Sequence, residues 1–235
     1  MSSPAGLAAS PSRPAGDSGA GRGLTRIRVT RDSPLWLVLV AGLFMIAELI
    51  PAQLPMGLGV DEITYIAQTS AHASQVILPP VHGRGPALLA APITLLTTSI
   101  PVLRVWMAAL SALGLLLALL AWRGLRPAWV IAVAGVVIGS FGVAELGGVQ
   151  VLPDWWVALA GLAVIGLFMQ AVTGRMRRRV VLPLLAATTF ALILLRPQDA
   201  AVMMAPVIAA ALIVPAWRHR GVLAASCAGI AAGGR

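Results

Sequence analysis

The stretch VLRVWMAALSALGLLLALLAWRGLRP (residues 102–127) decides the fold. It is an apolar run that contains one charged residue, Arg104, and it closes with a short basic turn. A helix rises 1.5 Å per residue, so about 20 apolar residues are needed to cross 30 Å of hydrocarbon. A run of this length with a basic end predicts a transmembrane helix.

The composition extends this prediction to the whole chain. Of its 235 residues, 59% are hydrophobic and only 11% are charged, and the mean hydropathy is +0.91. Soluble domains have about a quarter of their residues charged, so this chain lacks the polar residues to cover a globule in water. The sequence therefore predicts an all-α fold, a polytopic transmembrane helical bundle.

The basic loops set the predicted topology. Residues 86–100 are short for a span and contain Pro86 and Pro92, so they predict a re-entrant or juxtamembrane segment. If they crossed, the Arg residues of the 123–127 turn would lie outside. If they do not cross, every Arg-rich loop lies on the cytoplasmic side, as the positive-inside rule requires. We therefore predict six full spans and a truncated seventh from 221; the six cover 35–54, 102–122, 128–143, 155–172, 180–195 and 200–217.

The predicted organisation has two parts. Residues 1–33 form a disordered, basic cytoplasmic tail, and residues 34–235 form the transmembrane domain with an outer loop at 55–85. This predicts a multi-pass protein of the plasma (inner) membrane with a cytoplasmic N-terminus. The net charge of +9 does not indicate a nucleic-acid partner, because the Arg residues occupy short loops between apolar runs. Membrane lipid is the expected surrounding partner.

The predicted outer face collects most of the polar residues that could carry chemistry. Three Arg residues there are not explained by the cytoplasmic rule, and each is expected to be paired or to bind an anion because Arg is costly near hydrocarbon. Glu48, inside the first span, is a further ionisable candidate. The outer set is Asp61, Glu62, Tyr65, His72, His82, Arg84, Arg104, Glu145, Asp154, Arg196 and Asp199.

The order of five motifs along the chain resembles the GT-C superfamily of polytopic glycosyltransferases, closest to the protein mannosyltransferase and aminoarabinose transferase branch. The acidic motif of the first outer loop is followed by a juxtamembrane stretch, a basic-ended span, a Pro-Asp span start and an Arg-Pro hairpin. The matching segments are GVDEITYIAQ (59–68), HGRGPALLAAPITLL (82–96), VLRVWMAALSALGLLLALLAWRGL (102–125), VLPDWWVALAGL (151–162) and LILLRPQDAAVMMAPVIAAAL (192–212).

The resemblance implies a GT-C-like N-terminal module that moves a sugar from a polyprenyl-phosphate donor to an acceptor on the extracytoplasmic face. Since such enzymes are usually longer, it also implies an N-terminal fragment. By resemblance, Asp61 is the base that takes the acceptor's proton, and Glu62 orients Asp61 or contacts the sugar. Substrate-binding roles are expected for Arg84, Asp154, Arg196 and Tyr65. One departure is His82-Gly83-Arg84, where that branch usually has Lys-Pro-Pro.

Several of these candidates have a purely structural alternative. Asp61 and Glu62 could be solvated loop carboxylates, Asp61 and Asp154 could be helix N-caps, and Arg84 and Arg196 could be interfacial anchors whose side chains reach the headgroups. The spacing of the outer acids and histidines matches no compact metal motif, so no metal ligand is predicted, and a divalent metal remains an open alternative from the resemblance alone.

At the level of function, the alternatives are a non-enzymatic polytopic membrane protein, such as a transporter subunit, and an inactive fragment of a transferase. A transporter would place ionisable residues within the spans along a pathway. The sequence instead concentrates them at the span ends, which favours a site at one face of the membrane.

Overall fold

The computed structural model describes residues 32–52, 57–70, 83–143 and 147–213. In these residues all regular structure is helical and no strand is present, which confirms the predicted all-α class for this part of the chain. Most of the predicted tail and the seventh span lie outside the described residues. The eight helices are α1 (Leu35–Ala52), α2 (Val60–Ala67), α3 (Gly85–Thr94), α4 (Ile100–Leu120), α5 (Ala128–Phe141), α6 (Pro153–Thr173), α7 (Arg178–Leu195) and α8 (Pro197–Ile213).

Three of these helices are long and apolar enough to cross a membrane: α4 and α6, with 21 residues each, and α7, with 18. The apolar parts of α1, α5 and α8 are shorter. Helix α3 has ten residues and is therefore only about 15 Å long, half of the hydrocarbon thickness. Its length agrees with the prediction that the 86–100 segment does not cross.

Proline and glycine set several helix ends. Pro86, Pro101 and Pro153 stand in the first turns of α3, α4 and α6, where the missing N–H costs no hydrogen bond. Gly174 ends α6 in the left-handed conformation, with φ of 67°, which glycine adopts without strain. The helices consequently begin and end within a few residues of the predicted span limits.

The long helices run alternately between two ends of the molecule. At the end that carries α2, late α1 meets early α6, where the rings of Phe44 and Trp155 stack with centroids 5.1 Å apart. At the opposite end, Asp32 before α1 lines a cavity with Arg123 after α4 and Arg175 after α6. We call these the α2 end and the Arg123 end.

Two glycines bring the start of α3 against the end of α7. A Cβ on Gly83 would lie 2.1 Å from the carbonyl oxygen of Leu194 and 2.4 Å from that of Leu195. A Cβ on Gly85 would lie 2.9 Å from the Cα of Leu195. Because these neighbours are backbone atoms, no side-chain rotation could make room. Gly83 and Gly85 thus permit a close backbone contact. The Pro-Pro pair that the resembled branch usually has at positions 83 and 84 would not permit it.

We expect Gly83→Ala to lower the free energy of unfolding by about 1–3 kcal/mol, because the added Cβ forces α3 away from α7. The control is Gly42→Ala in α1, whose Cβ would meet nothing within 4 Å. That change should be neutral or stabilising, since Ala favours a helix over Gly by about 1 kcal/mol. Thermal unfolding of the purified full chain measures both. Equal midpoints for the two variants would contradict the close contact.

Candidate functional site

Helix α2 places the two adjacent carboxylates in its first turn. Gly59 is the N-cap, and Asp61 and Glu62 are the second and third helical residues, where negative charge is favoured by the exposed N–H groups. The N-cap interpretation of Asp61 is therefore wrong. The side chain of Glu62 reaches back to accept a hydrogen bond from the N–H of Gly59, at 3.0 Å. The neighbouring carboxylates consequently point in different directions.

Glu62 forms a buried ion pair with Arg104 of α4. Each side chain is 4% exposed, and both guanidinium Nη atoms bond to the carboxylate, with Nη2 2.8 Å from Oε2. Oε1 also accepts the N–H of Val151, at 2.9 Å. Together with the bond from Gly59, four donors occupy the approximately four lone-pair positions of a carboxylate. Of the two roles predicted for Glu62, these contacts favour orienting α2 over contacting a sugar.

Through its other hydrogen bonds, Arg104 connects α4 to two backbone segments. It donates to the carbonyl of Val149, at 3.0 Å, and to that of Gly57, at 3.3 Å. The segment 147–151 is held again by Ser111 of α4, whose hydroxyl donates to the carbonyl of Gly148 at 2.5 Å. The prediction that Arg104 is paired or binds an anion is confirmed, because it is paired.

The pKa of Glu62 lies below its ordinary value of 4.5. Burial acts to raise it, but the hydrogen bonds from Arg104 and from the N–H groups of Gly59 and Val151 favour the ionised form more strongly. Glu62 is therefore a permanent anion at neutral pH, and its charge is matched by Arg104.

Asp61 has a different environment from its neighbour. Its side chain is exposed, and it makes no hydrogen bond or ion pair with the described part of the chain. It lies on the wall of a cavity of about 320 Å³, together with Gly57, Gln150 and Leu152. A carboxylate that is open to a cavity and has no fixed partner is able to accept a proton from a bound hydroxyl group.

A second polar cluster surrounds Arg196, the residue that joins α7 to α8. Its Nη1 lies 2.7 Å from Oδ1 of Asp154 and 3.3 Å from Oδ2 of Asp199. The N-cap of α6 is Leu152, so the alternative interpretation of Asp154 as an N-cap is also wrong. Arg196 was predicted to be paired or to bind an anion, and the resemblance implied a substrate-binding role for it. The structure shows it paired between two carboxylates, so this cluster has no excess positive charge.

Tyr65 lies between the two clusters. It is only 2% exposed, and burial raises its pKa above the ordinary value of 10. The charge of Arg196 opposes this shift, whereas those of Asp61 and Asp154 add to it. Asp154 stands in the first turn of α6 and Arg196 follows the last residue of α7, so the second cluster also lies at the α2 end. The burial of Tyr65 leaves little of its ring for direct contact with a substrate.

Arg84 supplies an unpaired positive charge beside the second cluster. Its side chain is exposed and has no hydrogen-bond or ion-pair partner among the described residues. The flanking Gly83 and Gly85 pack on Leu194 and Leu195, immediately before Arg196. The backbone on both sides of Arg84 is therefore held against the last residues of α7.

Glu48 and the possible metal ligands complete the predicted candidates. The side chain of Glu48 is buried against Gly148, so it supports the same segment as Ser111. Within residues 32–52, 57–70, 83–143 and 147–213, no group of three His, Cys, Asp or Glu side chains could hold a metal ion. His72, His82 and Glu145 lie outside these ranges.

Sequence reasoning missed the segment 147–151 as part of the site. Its backbone meets Glu62 and Arg104, while Gln150 lines the cavity beside Asp61. No residue type in this segment signals such a role, because the contacts are made by main-chain groups. Asp199 carried a signal: its spacing of three residues from Arg196, at the start of a helix, favours an ion pair.

No family model, curated protein or solved structure matches this chain. The resemblance of its motifs to GT-C transferases therefore stays a prediction. Function has to be inferred from the geometry at the α2 end.

We expect Glu62→Gln to lower the free energy of unfolding at neutral pH by about 3–5 kcal/mol, because Arg104 would keep a buried charge without its counter-charge. Asp61→Asn is the matched control on the neighbouring residue. It should cost less than about 1 kcal/mol, because Asp61 has no ion-pair partner among the described residues and loses only its favourable interaction with the helix N-terminus. Thermal unfolding of the two variants and the wild type checks this.

The same pair predicts a pH dependence. The ionised Glu62 carboxylate stabilises the folded chain fully when the pH is above the pKa of the unfolded chain, near 4.5. This contribution is lost as the pH falls through the lower pKa of the folded chain. The stability difference between wild type and Glu62→Gln should therefore shrink as the pH drops below 4.5. A difference that stays constant through this range would show that Glu62 does not titrate as an ion-paired group.

Proposed function

We propose that the chain is part of an integral-membrane glycosyltransferase that moves a sugar from a polyprenyl-phosphate donor to an acceptor at the extracytoplasmic face. The observation that carries this is the contrast between two adjacent acids. Glu62 is fixed by four hydrogen bonds, and Asp61 beside it is free on the wall of a cavity. A rigidly mounted but unpaired carboxylate is what general-base catalysis requires.

The proposed membrane arrangement has α1 and α4–α8 as six crossing helices, with α2 and the start of α3 at the outer surface. Large apolar side chains are exposed along several of these helices, among them Leu43, Leu117 and Val133. Such an apolar exterior suits lipid and would be unfavourable in water. The Arg residues at the Arg123 end support a cytoplasmic position for that end and for the N-terminus.

In the proposed reaction, the oxygen of the acceptor hydroxyl bonds to the anomeric carbon while the Asp61 carboxylate accepts the proton of that hydroxyl. The bond from that carbon to the phosphate oxygen breaks, and the polyprenyl phosphate leaves with the electron pair. Arg84 is the exposed cation available to stabilise the charge that develops on the phosphate. Arg196 already forms ion pairs with Asp154 and Asp199, so we propose that it holds this cluster in place.

The distribution of charge disfavours a transporter subunit. In the described residues the ionisable side chains gather at the two ends of the helices, as with Asp154, Arg178 and Asp199. Glu48 is four residues from the end of α1 and packs on Gly148. A conduit would need polar or ionisable groups along its length, and the described helices provide a site at one end.

We expect Asp61→Asn to reduce sugar transfer by at least about 100-fold, because the amide cannot take the acceptor's proton. Thr64→Ala in the same helix is the control, since the Thr64 hydroxyl donates only to the Val60 carbonyl of its own helix. Transfer from labelled polyprenyl-phosphate sugars to added acceptors by the purified full chain is the measurement. Normal transfer by Asp61→Asn would exclude Asp61 as the base. A wild-type chain that neither binds nor uses any donor would favour the inactive-fragment alternative.

Arg84→Gln should raise the KM for the donor by about tenfold while leaving the unfolding midpoint unchanged, because the side chain is exposed and has no hydrogen-bond or ion-pair partner among the described residues. Arg84→Lys should recover part of the affinity, since it restores the charge without the planar donor set. Steady-state kinetics over a donor series give the KM. An unchanged KM in Arg84→Gln would assign Arg84 to interfacial anchoring.

A further inference from the structure

A cavity lies at the Arg123 end, at the opposite end of the long helices from the proposed active site. It has a volume of about 730 Å³, within the usual range of about 300–1,000 Å³ for small-molecule sites. The α4–α5 turn forms one wall, and the α6–α7 turn forms another. The charged residues that line it are Asp32, Arg123, Arg126 and Arg175.

The α4–α5 turn is fixed in place by side chains of α6 and of the turn that follows it. Gln170 is buried and donates to the carbonyl groups of Ala121 and Arg123. Arg175 donates to the carbonyl of Gly124, whose φ of 85° favours glycine. With these carbonyl groups occupied, the turn offers the cavity guanidinium groups and few acceptors.

Among the described residues that line this cavity, positive charge exceeds negative charge. Three guanidinium groups face one carboxylate, Asp32, and none of the three forms an ion pair with an acid of the described residues. The side chains of Arg123 and Arg126 are exposed and make no hydrogen bond there. A fixed concave site with excess guanidinium charge is complementary to a phosphate group, which Arg binds through paired N–H donors.

The position of the cavity identifies the source of the phosphate. It lies at the ends of α4 and α6, both of which are long and apolar enough to cross a membrane. A cavity at the end of such helices lies at the depth of the lipid headgroups. Trp122 and Trp129 flank the turn, as is usual for residues at this interface. We propose that this cavity binds the phosphate headgroup of an anionic phospholipid, independently of any transferase activity.

The test uses the full chain, purified in neutral detergent, with phosphatidylglycerol and phosphatidylcholine in equal amounts and native mass spectrometry as the readout. The wild type should retain phosphatidylglycerol preferentially. Arg123→Gln/Arg126→Gln should weaken this retention about 25-fold, because each Arg near an anionic lipid contributes a factor of about five. Arg123→Lys/Arg126→Lys should restore most of it, and equal unfolding midpoints for these variants show that folding is unaffected.

The matched control is Arg178→Gln/Arg179→Gln, which removes the same charge from exposed residues at the start of α7 that do not line the cavity. This control should keep the affinity of the wild type. An equal loss in both double variants would show that net charge alone attracts the lipid, and would overturn the site. Displacement of the lipid by inorganic phosphate at similar concentrations would make it a site for soluble anions. No preference for phosphatidylglycerol in the wild type would also overturn the proposal.

Discussion

The structure at the α2 end depends on the buried ion pair between Glu62 and Arg104. Arg104 sits in the second turn of an apolar helix, where a guanidinium without a counter-charge would be strongly destabilising. Its pairing with Glu62 draws α2 onto α4, and its bonds to Val149 and Gly57 add the two flanking segments. A buried ion pair often contributes little net stability compared with an apolar pair of the same shape. Its effect here is to select one arrangement of four chain segments.

That arrangement determines what Asp61 is able to do. A side chain on a short helix in a loop would ordinarily sample many positions, and a base has to lie within hydrogen-bond reach of the proton it removes. With Glu62 fixed from four directions, the first turn of α2 has a defined orientation, and Asp61 faces the cavity that Gln150 and Leu152 complete. Glu62 thus fixes the position of the helix, and Asp61 provides the lone pair that accepts a proton.

The two ends of the molecule handle charge in opposite ways. At the α2 end, Arg104 and Arg196 are matched by carboxylates, and Arg84 alone of the described arginines there is left over. At the Arg123 end, guanidinium groups outnumber acids, and no ion pair neutralises them among the described residues. Charge that is paired fixes geometry, whereas charge that is unpaired is available to a ligand. This difference separates the proposed catalytic end from the proposed lipid-binding end.

Local features of the sequence were sufficient to predict the helices. Runs of apolar residues bounded by Pro101, Pro153 and Gly174 gave their limits, because these residues act on the backbone where they stand. The cost of a charge near hydrocarbon also predicted that Arg104 needs a partner. The identity of that partner was not predictable, because Glu62 is 42 residues from Arg104 in the sequence. Val151, whose N–H also bonds to Glu62, is 89 residues from Glu62. For Arg196 the sequence predicted either pairing or anion binding, because nothing in it shows that Asp154 folds back onto Arg196.

A double-mutant cycle on Glu62 and Arg104 tests the central claim most directly. It compares the free energies of unfolding of the wild type, Glu62→Gln, Arg104→Met and the variant with both changes. If the pair holds α2, the double variant should be less destabilised than the sum of the single variants, with a coupling energy of about 2 kcal/mol or more. Additive effects, with a coupling below about 0.5 kcal/mol, would show that the two side chains do not depend on each other. The orientation of Asp61 would then need another cause.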